Sequence, residues 1–311
     1  MSKEPIPVLR KVTVPSLLAR KERGEKFSVV TACDLPSARA AEEAGIDVLL
    51  VGDSLGMVEL GYPNTLPVTM DEMLHHARAV ARGARRPLLV GDMPFLSYQV
   101  RVDEAVANAG RFVKEAGMDA VKLEGGIDRV PAVRALVSTG IPVMGHVGLT
   151  PQSVHVLGGF RLQGRDRTGA RKVLEDALAL EEAGCFAVVL EAIPARLAAL
   201  LTRRLSIPTV GIGAGASCDA QVLVGHDLLG LSPDAVPTFV KRYESLYERM
   251  VGAFRAYRED VVSGAFPEPV HAREMPDAEW DAFREGLDEE PPSEGTGNRR
   301  AVAGGRRMRL T

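Results

Sequence analysis

Three stretches of the chain run apolar and then end on an acid. They are DVLLVGDS (47–54), PLLVGD (87–92) and AVKLE (120–124), and they carry Asp53, Asp92 and Glu124. A continuous apolar run bounded by turn residues suits a strand buried on both faces of a parallel sheet. Residues two apart share one side of a strand. Asp53 would then share its side with Val51 and Leu49, Asp92 with Val90, and Glu124 with Lys122. In a closed parallel barrel the three acids would meet on one rim, where such folds keep their chemistry. Neighbouring carboxylates repel unless something positive lies between them, and an all-oxygen set without His or Cys favours Mg²⁺ over Zn²⁺. Singly, each acid could be a solvated strand terminus or a helix N-cap. Three in succession favour the shared cation, and not all need touch it, because Mg²⁺ usually keeps some of its waters.

Other groups could join that rim. Lys122 is costly to bury unless paired, so it is either a structural ion pair or an anchor for an anionic substrate group. Glu191 ends a later apolar run that could raise its pKa by desolvation. It could act as a general base beside a bound substrate or cap the following helix. His146, at the end of another strand, could donate to a substrate oxygen or satisfy a loop carbonyl. The glycines of GIGAG (211–215) could cradle a phosphate or simply make a turn, since the Lys and Ser/Thr of a P-loop are missing. His75 and His76 have no partner motif and read as structural, and Cys33 and Cys218 have no catalytic context.

The elements that would position these residues alternate. A short helix is expected over 15–23, then strands at 27–32, 47–54, 87–92, 120–124, 142–146, 186–191, 208–213 and, most weakly, 223–227. Helices are expected over 35–45, 69–82, 103–117, 125–138, 170–184, 195–205 and 235–257. Thr69 and Glu72 have capping-box spacing. Met70, Met73, Ala77 and Val80 make one apolar stripe, and Val106, Ala109, Val113 and Ala116 another. Long loops at 55–68 and 147–167 follow two of the strands. About eight strand–helix units point to an α/β fold, a (βα)8 TIM barrel with C-terminal helices and a disordered tail. An open doubly wound sheet is the rival, but its first βα turn should carry G-x-G-x-x-G, and 32–35 does not.

The 311 residues are 46% hydrophobic and 25% charged, with net charge -3, which gives no reason to expect nucleic acid or a membrane. Three scattered cysteines fit a reduced cytoplasmic setting rather than a disulfide framework. No apolar run approaches the roughly 20 residues of a membrane helix. The expected organisation is a disordered 1–11, a catalytic barrel over 12–266, and a low-complexity, disordered tail over 267–311, acidic and then arginine-rich.

Read together, TACD (31–34), VGDSLGM (51–57), TLPVT (65–69), GDMPF (91–95), VKLEGG (121–126), GHVGLTPQS (145–153), GGFRLQGR (158–165), LEAIP (190–194) and GIGAG resemble the ketopantoate hydroxymethyltransferase family. They occur in family order across roughly residues 12–265. The resemblance implies a Mg²⁺-dependent barrel that moves a one-carbon unit from 5,10-methylenetetrahydrofolate to 3-methyl-2-oxobutanoate, giving 2-dehydropantoate for pantothenate biosynthesis. It also implies metal positions at Asp53, Asp92 and Glu124, substrate contacts at Ser54, Asp92 and Lys122, and a proton acceptor at Glu191. The metal position Asp53 and, from its own strand-end reading, His146 join the expected substrate contacts. The family further implies a cytoplasmic homo-oligomer, commonly a decamer. Cys33 replaces a usual tyrosine, His155 a common asparagine, and the usual Glu-His-Ser ending is Pro-Val-His around His271.

The chemistry agrees with the residues. A 2-oxo acid chelating Mg²⁺ becomes more acidic at C3, and the two long loops are candidates for excluding water and holding folate. Two rivals differ in kind. A Mg²⁺–enolate lyase or mutase like isocitrate lyase would act without folate, and would usually place a reactive cysteine or another acid on a mobile loop. A non-catalytic binding barrel would have lost its rim acids.

Overall fold

The computed structural model describes residues 10–289. Its strands are β1 (Phe27–Thr31), β2 (Val48–Val51), β3 (Leu88–Asp92), β4 (Ala120–Lys122), β5 (Val143–Gly148), β6 (Ala187–Glu191), β7 (Thr209–Ile212) and β8 (Ala220–Leu223). All pair in parallel and in chain order, and β8 returns to β1 through Val29 and Val222 to close the barrel. The connecting helices are α1 (Val14–Arg23), α2 (Leu35–Glu43), α3 (Leu55–Val58), α4 (Met70–Gly83), α5 (Val102–Ala116), α6 (Val130–Ser138), α7 (Val154–Leu157), α8 (Arg167–Glu182), α9 (Ala195–Arg204) and α10 (Gly225–Leu229). Beyond them lie α11 (Leu246–Ser263) and α12 (Asp277–Glu289). The expected (βα)8 barrel is what forms.

Two apolar layers hold it. Inside the barrel, alternate strand residues such as Val29, Leu50, Val90, Met144, Val189 and Val222 meet in one core. Leu17 of α1 joins this core with no exposed surface, so the helix ahead of the first strand closes off the interior core. The opposite side chains, among them Leu49, Val51, Leu89 and Val121, pack outward against the helices. α4 starts as its capping box requires: Glu72 donates its backbone N–H to Thr69 Oγ1 at 3.2 Å and accepts the Thr69 N–H at 2.7 Å. Its buried stripe is Met73, Leu74, Ala77 and Val80.

Several expectations shift. α5 buries Ala105, Ala109, Phe112 and Ala116, while Val113 is exposed. The face turns because Phe112 fits against the bare backbone of Gly91, where a Cβ would collide with its ring. The weakest expected strand, 223–227, is mostly α10, and β8 lies earlier at Ala220–Leu223. Residues 235–245 form a loop, so the helix expected from 235 starts only at Leu246. Both long loops carry short helices, α3 and α7.

The described residues divide into two compact units, 10–249 with the barrel and 250–289. In the second, the Phe266 ring lies 5.7 Å from Tyr257 and 5.1 Å from His271. Where low complexity suggests no structure, α12 forms, with Trp280, Phe283 and Leu287 at helical spacing. The acidic–arginine stretch from 290 on, and residues 1–9, lie outside the described residues. Lys11, expected in a disordered start, instead pairs with Asp119 at 2.6 Å.

Leu17→Ala tests the role of α1. Removing a fully buried leucine from a core that cannot collapse costs about 2–5 kcal/mol, read as a lower denaturant midpoint at unchanged slope. A change below about 0.5 kcal/mol, the range of surface substitutions, would mean that α1 does not complete the interior core.

Candidate active site

At the C-terminal ends of the strands a cavity of ≈ 440 Å³ is lined by Asp53, Asp92, Lys122, Glu124, His146 and Glu191, among others. Strand pairing explains the gathering. Asp92 and Lys122 are register partners on β3 and β4, and Glu191 pairs with Gly148 across β5 and β6. Asp92 lies in phase with the interior Val90, and Glu124 with Lys122, as strand alternation requires. Asp53 lies out of phase. Leu49 and Val51 face the helices, and the acid reaches the cavity only because β2 stops at Val51 and the chain turns at 52–54 into α3.

Lys122 Nζ donates to both Asp92 oxygens at 2.8 Å and lies 3.8 Å from Glu124 Oε1. Of its two readings, the ion pair is therefore made within the protein. Burial works against the lysine charge, but Asp92, Glu124 and Asp53 surround it and keep it protonated. Burial also raises the Asp53 carboxyl well above its ordinary value, and the Asp92 and Glu124 charges add to the rise. Asp92 is raised by burial despite Lys122. Glu124 is held low against burial, by His146 and Lys122.

His146 stands between two acids, its Nδ1 3.5 Å from Glu124 Oε1 and its Nε2 3.2 Å from Glu191 Oε2. Neither ring nitrogen has an aligned hydrogen bond, so charge supplies the attraction. Burial and Lys122 oppose protonation, yet the two carboxylates outweigh them and lift His146 to about 9. Glu191 is the least enclosed member, its side chain 16% exposed toward the cavity.

Sequence reasoning missed Gln152, which joins the acids. Its side-chain amide donates to Asp53 Oδ2 and to the Met93 carbonyl at 2.9 Å, and its backbone N–H donates to Glu124 Oε2 at 3.0 Å. Tyr98 donates its hydroxyl to Gln152 Oε1 at 2.6 Å, which fixes the amide's orientation. A glutamine inside TPQS has no chemical signature of its own. Its importance comes from where the 149–153 turn sets it down.

Asp53, Asp92 and Glu124 could hold a hard cation. All offer oxygen, and Glu124 Oε1 is buried without a hydrogen-bond donor. Among the described residues these acids do not bring three donor atoms within 4.8 Å of one another, so direct ligation by all three would need the side chains to draw in, and Mg²⁺ usually keeps several of its waters.

Both long loops reach the cavity, through Met57 and Thr65 from one and Phe160 from the other, and residues 232–240 supply a wall the sequence did not foretell. Ser54 lines it as well. The GIGAG glycines serve packing: a Cβ at Gly211 would stand 2.9 Å from Cys218 Sγ, and Gly213, at φ 60°, lies against Phe239. His155 is exposed on α7 and is not among the cavity's lining residues. Cys33 does not line the main cavity either. It stands behind the rim, and His76 Nδ1 meets its carbonyl at 2.7 Å.

A family model described as ketopantoate hydroxymethyltransferase matches residues 11–269. The chain belongs to the ketopantoate hydroxymethyltransferase family. It is 58% identical over 262 residues to 3-methyl-2-oxobutanoate hydroxymethyltransferase of Moorella thermoacetica, covering 84% of this chain and 97% of that one. With the enzyme of that name from Carboxydothermus hydrogenoformans it shares 57% over 265 residues, 85% of this chain and 96% of the other. This family member is therefore an enzyme, a transferase of pantothenate biosynthesis. Among solved structures it shares its fold with phosphonopyruvate hydrolase (TM-score 0.56, 15% identity, 88% of this chain and 97% of that one). It also shares it with 2,3-dimethylmalate lyase, described as a PEP mutase/isocitrate lyase superfamily member (0.54, 18%, 89% and 95%). At these identities the likeness is one of fold, and the family follows from the sequence. No described helix is long and apolar enough to cross a membrane.

The raised His146 sets a pH signature in metal-free protein. A folded value of about 9 against an ordinary 6.5 stabilises the fold fully below the lower value, and that contribution is lost as pH rises through the higher one. The stability gap between the wild type and His146→Gln should therefore shrink by on the order of 3 kcal/mol from about pH 6 to about pH 10. A gap that stays constant in denaturant titrations would mean that His146 is not held as a cation.

Proposed function

We propose that this transferase moves the one-carbon unit of 5,10-methylenetetrahydrofolate to 3-methyl-2-oxobutanoate, with Mg²⁺ held at Asp53, Asp92 and Glu124 and Glu191 as the proton acceptor. The observation that carries this reading is the shared cavity, in which the Asp92–Lys122–Glu124 set and Glu191 are linked through His146. Mg²⁺, when bound, supplies a Lewis acid for the carboxylate and keto oxygens of a 2-oxo acid and so acidifies its C3–H. A crystal structure of phosphonopyruvate hydrolase in complex with oxalate and Mg²⁺ is a precedent within this fold.

The chain's own residues do the rest. Glu191 stands at the open edge of the site, where its carboxylate takes the C3 proton. His146 holds that carboxylate from 3.2 Å away. Lys122, fixed on Asp92, directs positive potential at the oxygen where charge develops. Ser54 is a further substrate contact. Met57, Thr65 and Phe160 stand where the loops would meet folate and exclude water. Water releases the one-carbon unit from methylenetetrahydrofolate as formaldehyde, both C–N bonds breaking to leave tetrahydrofolate. The C3 carbanion adds to that carbonyl carbon, and its oxygen takes a proton to become the new hydroxyl of 2-dehydropantoate.

We read the functional protein as a cytoplasmic homo-oligomer, commonly a decamer in this family. Exposed Tyr247, Met250, Phe254, Tyr257 and Val261 form an apolar stripe along α11, of the sort that marks a protein contact.

Proton NMR of 3-methyl-2-oxobutanoate in D₂O tests the reaction. With protein and Mg²⁺ the C3 proton should exchange, and 2-dehydropantoate should appear only when methylenetetrahydrofolate is added. Glu191→Gln should slow exchange about 10²–10⁴-fold while still binding the oxo acid. Exchange at the wild-type rate would remove Glu191 as the base, and product without folate would overturn the donor.

Asp53→Asn separates cation binding from folding. A carboxyl raised above its ordinary value weakens the fold as pH climbs past that value. The metal-free variant should therefore be at least as stable as the wild type near pH 7, yet lose the rise in Tm that Mg²⁺ gives the wild type. A variant that keeps the full Mg²⁺ effect would exclude Asp53 as a ligand.

A further inference from the structure

Behind the rim, apart from the acid cluster, three unlike metal-binding side chains converge. Cys33 follows β1, Glu59 caps the end of α3, and His226 lies in α10. Their donor atoms all lie within 4.8 Å of one another, and theirs is the one such group of three found among the described residues. His226 Nε2 is 3.0 Å from Glu59 Oε2, and Cys33 Sγ is 3.9 Å from the same oxygen. A tetrahedral Zn²⁺ with ordinary bond lengths needs an N···O separation of about 3.3 Å and an S···O separation of about 3.5 Å. These two pairs lie within a few tenths of an ångström of that geometry, and the third, Cys33 Sγ to the His226 ring, lies within 4.8 Å.

The ligands are also held in place. The Cys33 carbonyl meets His76 Nδ1 at 2.7 Å, Glu59 closes α3 through its N–H to the Leu55 carbonyl at 2.9 Å, and Gly225, next to His226, donates its N–H to Thr31 Oγ1 at 2.9 Å. Such supports fix metal ligands in a productive orientation. A cavity of ≈ 10 Å³ is lined by Cys33 and His226 together with Thr31 and Ser54, about the space one water occupies. The donor set of soft sulfur, imidazole and one carboxylate differs in kind from the all-oxygen rim and suits a different ion.

We propose that Cys33, Glu59 and His226 form a second metal site, for a thiophilic divalent cation such as Zn²⁺, with water in the fourth position. Binding exchanges the Cys33 thiol proton, released to solvent, for a metal–sulfur bond. Burial and the neighbouring Glu59 otherwise keep that thiol protonated, pushed up to about 12, which argues against a free nucleophile. The bound ion ties together the segments after β1, β2 and β8. Thr31, the last residue of β1, and Ser54, after β2, line both this cavity and the main one, so the site braces one side of the catalytic rim.

Cobalt reports on it directly. The full-length protein, with excess Mg²⁺ to occupy the acid cluster, is titrated with Co²⁺ and then with Zn²⁺. Co²⁺ should produce a near-ultraviolet thiolate-to-cobalt charge-transfer band with intense tetrahedral visible bands, and Zn²⁺ should displace both. Cys33→Ala should abolish the charge-transfer band, and His226→Ala should weaken binding by at least about tenfold, the lower end of what even outer-shell changes cost. Cys218→Ala and Asp53→Asn should keep the band, which separates this site from the main one. Circular dichroism establishes that each variant is folded. A wild type with no charge-transfer band, or a band that survives in folded Cys33→Ala, overturns the proposal.

Discussion

Like charges crowded into a dry place are the constraint on which this structure turns. Asp53, Asp92 and Glu124 are buried at one end of the barrel, Glu191 adds a fourth carboxylate at the edge, and only Lys122 and His146 answer them. The shortfall appears in Asp53, whose carboxyl is forced upward by burial and by its neighbours. Such an arrangement weakens the fold by itself, and the divalent cation proposed above would supply the missing positive charge. Stability is given up at the site that function needs.

The barrel can bear that burden because the rest of it is conservative. The interior core below the rim is built mostly from branched and small apolar side chains, with Phe27, Met144 and Phe186 among them and Leu17 joining from α1. Parallel register sets the spacing of the polar groups above it. With Asp92 opposite Lys122, the strongest ion pair of the site lies between adjacent strands. Gln152 then joins Asp53 to Glu124 through its side chain and its backbone. The acids are fixed by the sheet and joined by a loop.

Much of this was legible in the sequence, because its signals were local. Apolar runs ending on acids give the strands and the rim, and Thr69 with Glu72 gives a helix start. What escaped depends on tertiary packing. Asp53 turns inward out of phase because Gly52 ends its strand, which alternation cannot foresee. Phe112 rotates the buried face of α5 because Gly91 leaves space for it. Gln152 carries no chemical signal until the fold brings it to Asp53. Cys33, which replaces a usual tyrosine, lies behind the cavity wall beside two residues distant in the chain, a meeting that barrel closure produces.

The central claim is that the rim acids share one hard cation. Anomalous diffraction from crystals grown with Mn²⁺ in place of Mg²⁺ and with 3-methyl-2-oxobutanoate tests it most directly. The account predicts a Mn²⁺ peak among Asp53, Asp92 and Glu124, with oxo-acid density beside it and within reach of Glu191. A substrate bound in that cavity with no Mn²⁺ peak among the three carboxylates would contradict it.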